Sequence, residues 1–229
     1  MYQLHIANKN YSSWSLRPWL LMKEMDIPFE EVLHPFGDRA TWDLYEQINP
    51  SRLVPCLISG EDRVWDSLSI VEFLAENYKE VWPSADVAKH WARSASCEMH
   101  SGFSALRDVC SMNCGLRVHL LQITPSLQKD LSRIDSLWQE GLSQFGGEFL
   151  AGEKFTAVDA FYAPVAFRIQ TYGISLSRKS MGYVSKLLSL DSMRLWYEQA
   201  LREQYRDLAH EAKVTSYGKI LHDYRIKAK

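Results

Sequence analysis

Two hydrophobic periods divide this 229-residue chain. Up to about residue 80, apolar positions alternate in some stretches and recur every three to four residues in others; beyond "WPSAD" only the helical spacing persists. Such a chain folds as a mixed α/β unit followed by a helical bundle, with the change of character near residues 83–87. In the first part Tyr2, Leu4 and Ile6 alternate as a strand, residues 15–25 read as a helix and "IPFEEVLH" as a second strand. "TWDLYEQIN" follows as a short helical piece, "LVPCLISGEDRVW" as a hairpin turning at Gly60-Glu61-Asp62, and "DSLSIVEFLAENY" as a helix with Ser69 and Glu72 spaced for a capping box. The order βαβ, helix, ββ, α predicts one domain over 1–82 and an all-helical one over 88–229. Helices are expected in the latter over about 86–112, 124–145, 158–172, 183–188 and 193–204, with no strands.

A hydrophobic content of 46% with 12% aromatics is enough for a real core. Net charge is −2 with both signs mixed along the chain, so neither nucleic acid nor membrane is an expected partner. The basic end "YRIKAK" reads as a solvated tail. The N-terminus lacks a signal-peptide pattern, no apolar run reaches the roughly 18 residues that span a bilayer, and Cys56, Cys97, Cys110 and Cys114 lack the spacing of a disulfide framework. A cytoplasmic protein is the expectation. Cys110, Cys114 and His119 are the nearest thing to a metal motif, but no second ligand pair accompanies them; they read as core residues, and no metal is expected. His5, inside a strand pattern, reads as structural.

The segment "NKNYSSWSLRPWLLMK" puts serines ahead of a helical pattern that contains a proline. Proline has no amide proton and fits best in a first helical turn, so a Ser15 N-cap accommodates Pro18, while a Ser13 cap requires a kink there. Either way, free amides and the positive end of the helix dipole point toward the Ser12 and Ser13 hydroxyls. That space attracts an anion, although for serines taken alone before a helix, helix capping is the favoured reading.

Several strings together resemble the glutathione transferase family over nearly the whole chain. "SSWSLR" is similar to the Ser-Ser-Cys-Ser-aromatic-Arg segment of the Zeta class, and "NPSRLVPCL" to the family's Asn-Pro-x-x-x-Val-Pro-x-Leu. "DSLSIVEFLAENY" resembles its acidic/Gln-Ser-x-x-Ile helix, and "FLAGEKFTAVDAF" its Thr-x-Ala-Asp folding motif. The resemblance implies a thioredoxin-like N-terminal domain, a helical bundle, a cytoplasmic homodimer and glutathione as co-substrate. It implies that Ser12 donates to the glutathione sulfur while Ser13, Ser15 and nearby amides stabilise the anion; Ser13 stands open as the alternative thiol contact. Val54, ahead of a cis Pro55, would pair with the cysteinyl backbone, and Asp66 and Ser67 would hold the γ-glutamyl end. A thiol near pKa 8.5 becomes mostly thiolate at neutral pH when its pKa falls by one to two units. A charged hydrogen bond of about 1.5 to 3 kcal/mol and a helix terminus of about 0.3 to 1 suffice for that.

The chain departs from the Zeta pattern at Trp14, which replaces cysteine and excludes a mixed disulfide there, and at Leu53 and Asp66, which replace glutamines. Arg17 matches the family's helix arginine, expected to be held by a carboxylate across the domain interface. Thr156 and Asp159 read as a helix cap with a folding role. Residues expected to face a second substrate are His100, Phe103, Arg107 and Cys110, with Arg168 from a later helix; cations there suit an anionic electrophile. The implied activity is activation of the glutathione thiol for attack on, or isomerisation of, a small electrophile. A glutathione-dependent disulfide or peroxide reductase, and a non-catalytic interaction protein on the same fold, are the alternatives.

Overall fold

The computed structural model describes residues 1–37, 43, 46–49 and 51–226. Strand β1 (Tyr2–Ile6), helix α1 (Ser13–Glu24) and strand β2 (Phe29–Leu33) form the opening βαβ unit; β3 (Cys56–Ser59), β4 (Asp62–Val64) and α2 (Ser67–Asn77) complete it. The sheet order is β2-β1-β3-β4, with β1 parallel to β2 and antiparallel to β3. The β3–β4 turn is Gly60-Glu61, tighter by one residue than expected because Ser59 pairs directly with Asp62, and Gly60 adopts φ +63 as such a turn requires. Of the expected helical piece over 41–49, Asp43 and Glu46 to Ile48 are helical; the rest lies outside the described residues.

The remainder is helical apart from one ribbon. Helix α3 (Asp86–Ser101) is followed by α4 (Ser104–Val109), strand β5 (Leu116–Leu120), α5 (Pro125–Gln144), α6 (Ala157–Tyr172), α7 (Arg178–Ser189), α8 (Asp191–Arg202), α9 (Leu208–Tyr217) and strand β6 (Gly218–Asp223). Three expectations are corrected. The single helix over 86–112 is two, because the Gly102 amide closes on the Glu98 carbonyl and Phe103 turns left-handed at φ 57. Strands persist beyond "WPSAD", since β5 and β6 pair antiparallel across a hundred residues of intervening chain. Residues 224–226 are docked: the Tyr224 amide bonds the Gly115 carbonyl, the Ile226 amide the Leu201 carbonyl, and Arg225 is only 8% exposed.

Helix α6 runs through the middle of the molecule, with all of its residues but Gln170 buried, and packs on α1, α3, α7 and β5. Its start is fixed by Asp159, whose carboxylate accepts the Thr156 amide at 2.9 Å, the Leu150 amide at 3.0 Å and the Tyr183 hydroxyl at 2.8 Å. One continuous apolar core joins Leu4, Ile6 and Trp19 of the sheet half to Trp138, Phe161 and Trp196 of the helical half. Among the described residues, no helix is long and apolar enough to cross a membrane.

Candidate active site

The serine loop is where the two halves meet. Glu203, at the end of α8, accepts the amides of Lys9 at 2.6 Å and Asn10 at 3.1 Å; Trp196 donates to the Lys9 carbonyl at 2.9 Å, and the Cys114 amide to the Asn10 carbonyl at 3.2 Å. Tyr11 donates to Glu211 of α9 at 2.7 Å, and Glu211 is itself held by Arg225 and Asn113. Residues 9 and 10 thus have their backbone donors and acceptors satisfied from the other half of the chain.

Helix α1 begins three residues earlier than a Ser15 cap requires. Ser12 is the N-cap, its Oγ accepting the Ser15 amide at 3.4 Å and donating to Ser15 Oγ at 2.7 Å. Pro18 therefore sits as the sixth helical residue, beyond the turn whose amides lack partners anyway. Tertiary bonding outweighs the proline: the Ser12 amide closes on the Asn8 carbonyl at 2.8 Å, and the loop is anchored on both sides as above. Ser15 is fully buried, its Oγ taking the Ala7 amide at 3.2 Å, so it braces the loop away from any ligand. Ser13 Oγ accepts from Arg168 Nη2 at 3.2 Å, which leaves the Ser13 proton unassigned. The Ser13 amide is taken by the Tyr11 carbonyl at 3.0 Å and the Ser15 amide by the cap; the Trp14 amide is the first-turn donor without a partner among the described residues.

Ser12, Ser13 and Trp14 open on a cavity of about 270 Å³ that Leu53, Val54, Arg107 and Arg168 also line. The Val54-Pro55 bond is cis, as expected, and Val54 lies just ahead of the β3 ladder. Four cationic side chains reach the wall, Arg52, Arg107, Arg168 and Lys213, with His210 beside them, and no carboxylate does among the described residues. A larger cavity, about 490 Å³, lies between the ends of α6 and β5 and holds none of the predicted residues.

Asp66 and Ser67 form a second group next to it. Asp66 caps α2 with Oδ1 on the Leu68 and Ser69 amides at 2.9 and 3.4 Å, which displaces Ser69 from that duty, and its Oδ2 lies 3.1 Å from His100 Nε2. Ser67 is fully buried and accepts from Arg17 Nη1 at 3.5 Å. Arg17 forms no ion pair with a carboxylate among the described residues; its guanidinium lies 4.1 Å from the Trp14 ring and 4.9 Å from Phe161. Burial, and then repulsion from Arg107 and Arg168, holds its pKa well below the usual guanidinium range, with Asp66 opposing. Arg107 covers Trp14 at 4.7 Å, so the indole lies against both guanidiniums and links the serine group to the Asp66 group.

Of the residues expected to face a second substrate, Arg107 and Arg168 do line the cavity. His100 and Phe103 do not: His100 packs edge-on to Trp14 and pairs with Asp66, and Phe103 is buried where α3 breaks. Cys110 contributes its carbonyl to Arg168, while burial pushes its thiol up to about 12. Cys114 is fully buried with its thiol raised by desolvation, and no group of three metal-ligating side chains forms among the described residues. Sequence reading missed His210 and Lys213, which α9 brings in from the far end of the chain. The amphipathic run of α9 is short and weak, and tertiary contacts such as the Glu211–Arg225, Glu211–Tyr11 and Lys213–Asp108 bonds decide where it lies.

Residues 11–77 match the family model described as "Glutathione S-transferase, N-terminal domain", and residues 117–209 match "Glutathione S-transferase, C-terminal domain". Among curated relatives, "Glutathione S-transferase zeta class" of Euphorbia esula is 27% identical over 165 residues, covering 71% of this chain and 73% of that one. "Probable maleylacetoacetate isomerase" of Caenorhabditis elegans is 25% identical over 179 residues, covering 72% and 77%. Among solved structures, a glutathione transferase homolog from Burkholderia with bound glutathione superposes with a TM-score of 0.66 at 18% identity, covering 87% of this chain and 97% of that one. With both of its domain models matched in the order in which the elements run, the chain belongs to the glutathione S-transferase family.

Proposed function

We propose that this enzyme binds glutathione across Val54 and the start of α2 and ionises its thiol at the start of α1 for reaction with a small anionic electrophile. The observation that carries the reading is the cationic cavity with no carboxylate on its wall among the described residues, into which Ser12 and Ser13 open. The Val54 backbone would take the cysteinyl unit as an added strand does, with Ser67 and Asp66 at the γ-glutamyl end. Ser13 is the better thiol contact: the Ser12 proton is turned to Ser15 Oγ, whereas Ser13 has a proton to give. The thiol proton leaves to solvent, the sulfur lone pair forms the S–C bond, and the electrophile's leaving group departs with its bonding pair. In an isomerisation the same bond breaks again after rotation about the former double bond. An unsaturated keto acid such as the maleylacetoacetate in the names of two relatives matches the charge of the wall.

The test is retention on immobilised glutathione followed by a panel of maleylacetoacetate isomerisation, aryl halide conjugation, disulfide reduction and peroxide reduction. Ser13→Ala is expected to lose at least about tenfold in kcat/KM, the equivalent of one charged hydrogen bond, and Ser12→Ala clearly less. A greater loss from Ser12→Ala reverses the assignment, activity confined to the disulfide or peroxide arms makes the enzyme a reductase, and binding without turnover in any arm leaves an interaction protein. The reading also includes a cytoplasmic homodimer, which light scattering of the purified chain checks.

A further inference from the structure

Arg168 is a buried charge without a counter-charge among the described residues. It is 5% exposed; Nη2 donates to Ser13 Oγ at 3.2 Å, Nη1 donates to the Cys110 carbonyl, and Nε has no partner among the described residues. No carboxylate pairs with it among those residues, whereas Arg93 pairs with Glu72 and Arg133 with Glu98. Burying an unpaired guanidinium is costly, and replacing it with an apolar side chain of similar volume would remove that cost. Burial does lower its pKa, but only to about 10, so the charge is present at neutral pH.

Its surroundings show what it can act on. Arg107 is occupied by the Met99 and His100 carbonyls, Lys213 is drawn to Asp108 at 2.6 Å, and Arg17 reaches Ser67. His210 stacks on Phe36, Cys110 is a neutral thiol, and Tyr172 is a neutral phenol pushed up to about 12 by burial. Arg52, at the outer wall, is held by Glu46. Arg168 is thus the one cation that touches a serine hydroxyl of that loop among the described residues.

We propose that Arg168 is a positioning residue for thiol activation: its Nη2–H occupies a lone pair of Ser13 Oγ, turns the hydroxyl proton toward the cavity, and places an unneutralised charge beside the sulfur anion. This rests on the glutathione reading above. It separates Arg168 from Arg107 in role. Both line the cavity, but Arg168 serves the nucleophile, whereas Arg107 is turned to the Met99 and His100 carbonyls. It also accounts for the absence of a carboxylate beside it among the described residues, since a counter-charge on Arg168 would cancel the field it supplies.

The test compares wild type, Arg168→Gln, Arg168→Lys and Ser13→Ala by ultraviolet titration of the bound glutathione thiolate. Affinity for S-methylglutathione, a thioether with no thiol to ionise, serves as the control for an intact site. The expected result is a bound thiol in Arg168→Gln that titrates about one to two pH units higher than in wild type. Arg168→Lys should fall between them, and thioether affinity should stay within about twofold. Unchanged titration in both Arg168 variants, with the thioether still bound, overturns the proposal and leaves the glutathione reading standing. Failure of wild type to bind the thioether sinks that reading and the proposal together. If Arg168→Gln loses the thioether, the comparison passes to Arg168→Lys and Ser13→Ala, alone and combined. Shifts that fail to add support coupling through the hydroxyl, and additive shifts overturn it.

Discussion

At His5 the alternation of β1 sends an imidazole to the face where His34 stands, 2.8 Å from Nδ1 to Nε2, with the rings stacked. Burial, then the neighbouring imidazole, lowers the His5 pKa to about 4, and burial lowers that of His34. A lowered pKa means that the folded state prefers the neutral ring. The contribution is therefore intact above pH 6.5 and is lost as pH falls through 4. Acid should cost the fold about 2 to 3 kcal/mol between those limits through this pair, and urea titrations of His5→Gln against wild type should show a flatter decline there. The pair's structural role could be read from the position of His5 in a strand pattern. Its partner could not, because a parallel register joins residues that sit far apart in the chain. The serine hydroxyls show the same limit: their presence is legible, but which proton is free depends on Arg168, which stands 155 residues further on.

The elements that decide the site are its late ones. Helix α9 and strand β6 are held by Glu211, which takes Tyr11 at 2.7 Å and Arg225 Nη2 at 3.0 Å, and Arg225 also binds Asp223 at 2.8 Å. Arg225→Met leaves Glu211 partly buried with two donors and its cationic partner gone, at an expected cost of about 2 to 3 kcal/mol in chemical denaturation. Faster amide exchange at residues 8–13 should accompany it, because Tyr11 precedes the serines directly. Exchange confined to α9 and β6 would show that the anchor does not reach the loop. At the start of α6, Asp159→Ala strands the Thr156 and Leu150 amides and the Tyr183 hydroxyl, at a cost of about 3 kcal/mol or more, while the folded fraction should keep its affinity for glutathione. Loss of affinity at full folding would give Asp159 a role at the site itself. The Asp159 cap is local, four residues from end to end, and so was visible in the string; the Glu211 anchor joins three distant segments and was not.

Over the whole molecule one core runs through both halves, with Trp19 of α1 packed edge-on against Trp196 of α8 at 5.0 Å and α6 against α1. A fragment covering 1–85 therefore exposes the apolar face of α1 and loses the carboxylate that orders residues 9 and 10. It should remain largely unfolded by circular dichroism, and the full chain should unfold in one transition that fluorescence and far-ultraviolet signals share. Two resolved transitions would contradict the single core. The order of strands and helices in the first 80 residues, the cis proline ahead of β3, the capped start of α6 and the bundle beyond residue 85 all follow from short-range pattern, because hydrogen bonding and side-chain period act within a few residues of each other. The start of α1 ahead of Pro18, the ribbon that pairs β5 with β6, the docking of residues 224–226 and the gathering of Arg107, Arg168, His210 and Lys213 around one cavity required the tertiary structure. Each is settled by contacts between segments tens to hundreds of residues apart, where burial and pairing outweigh the local preferences that a string of residues can display.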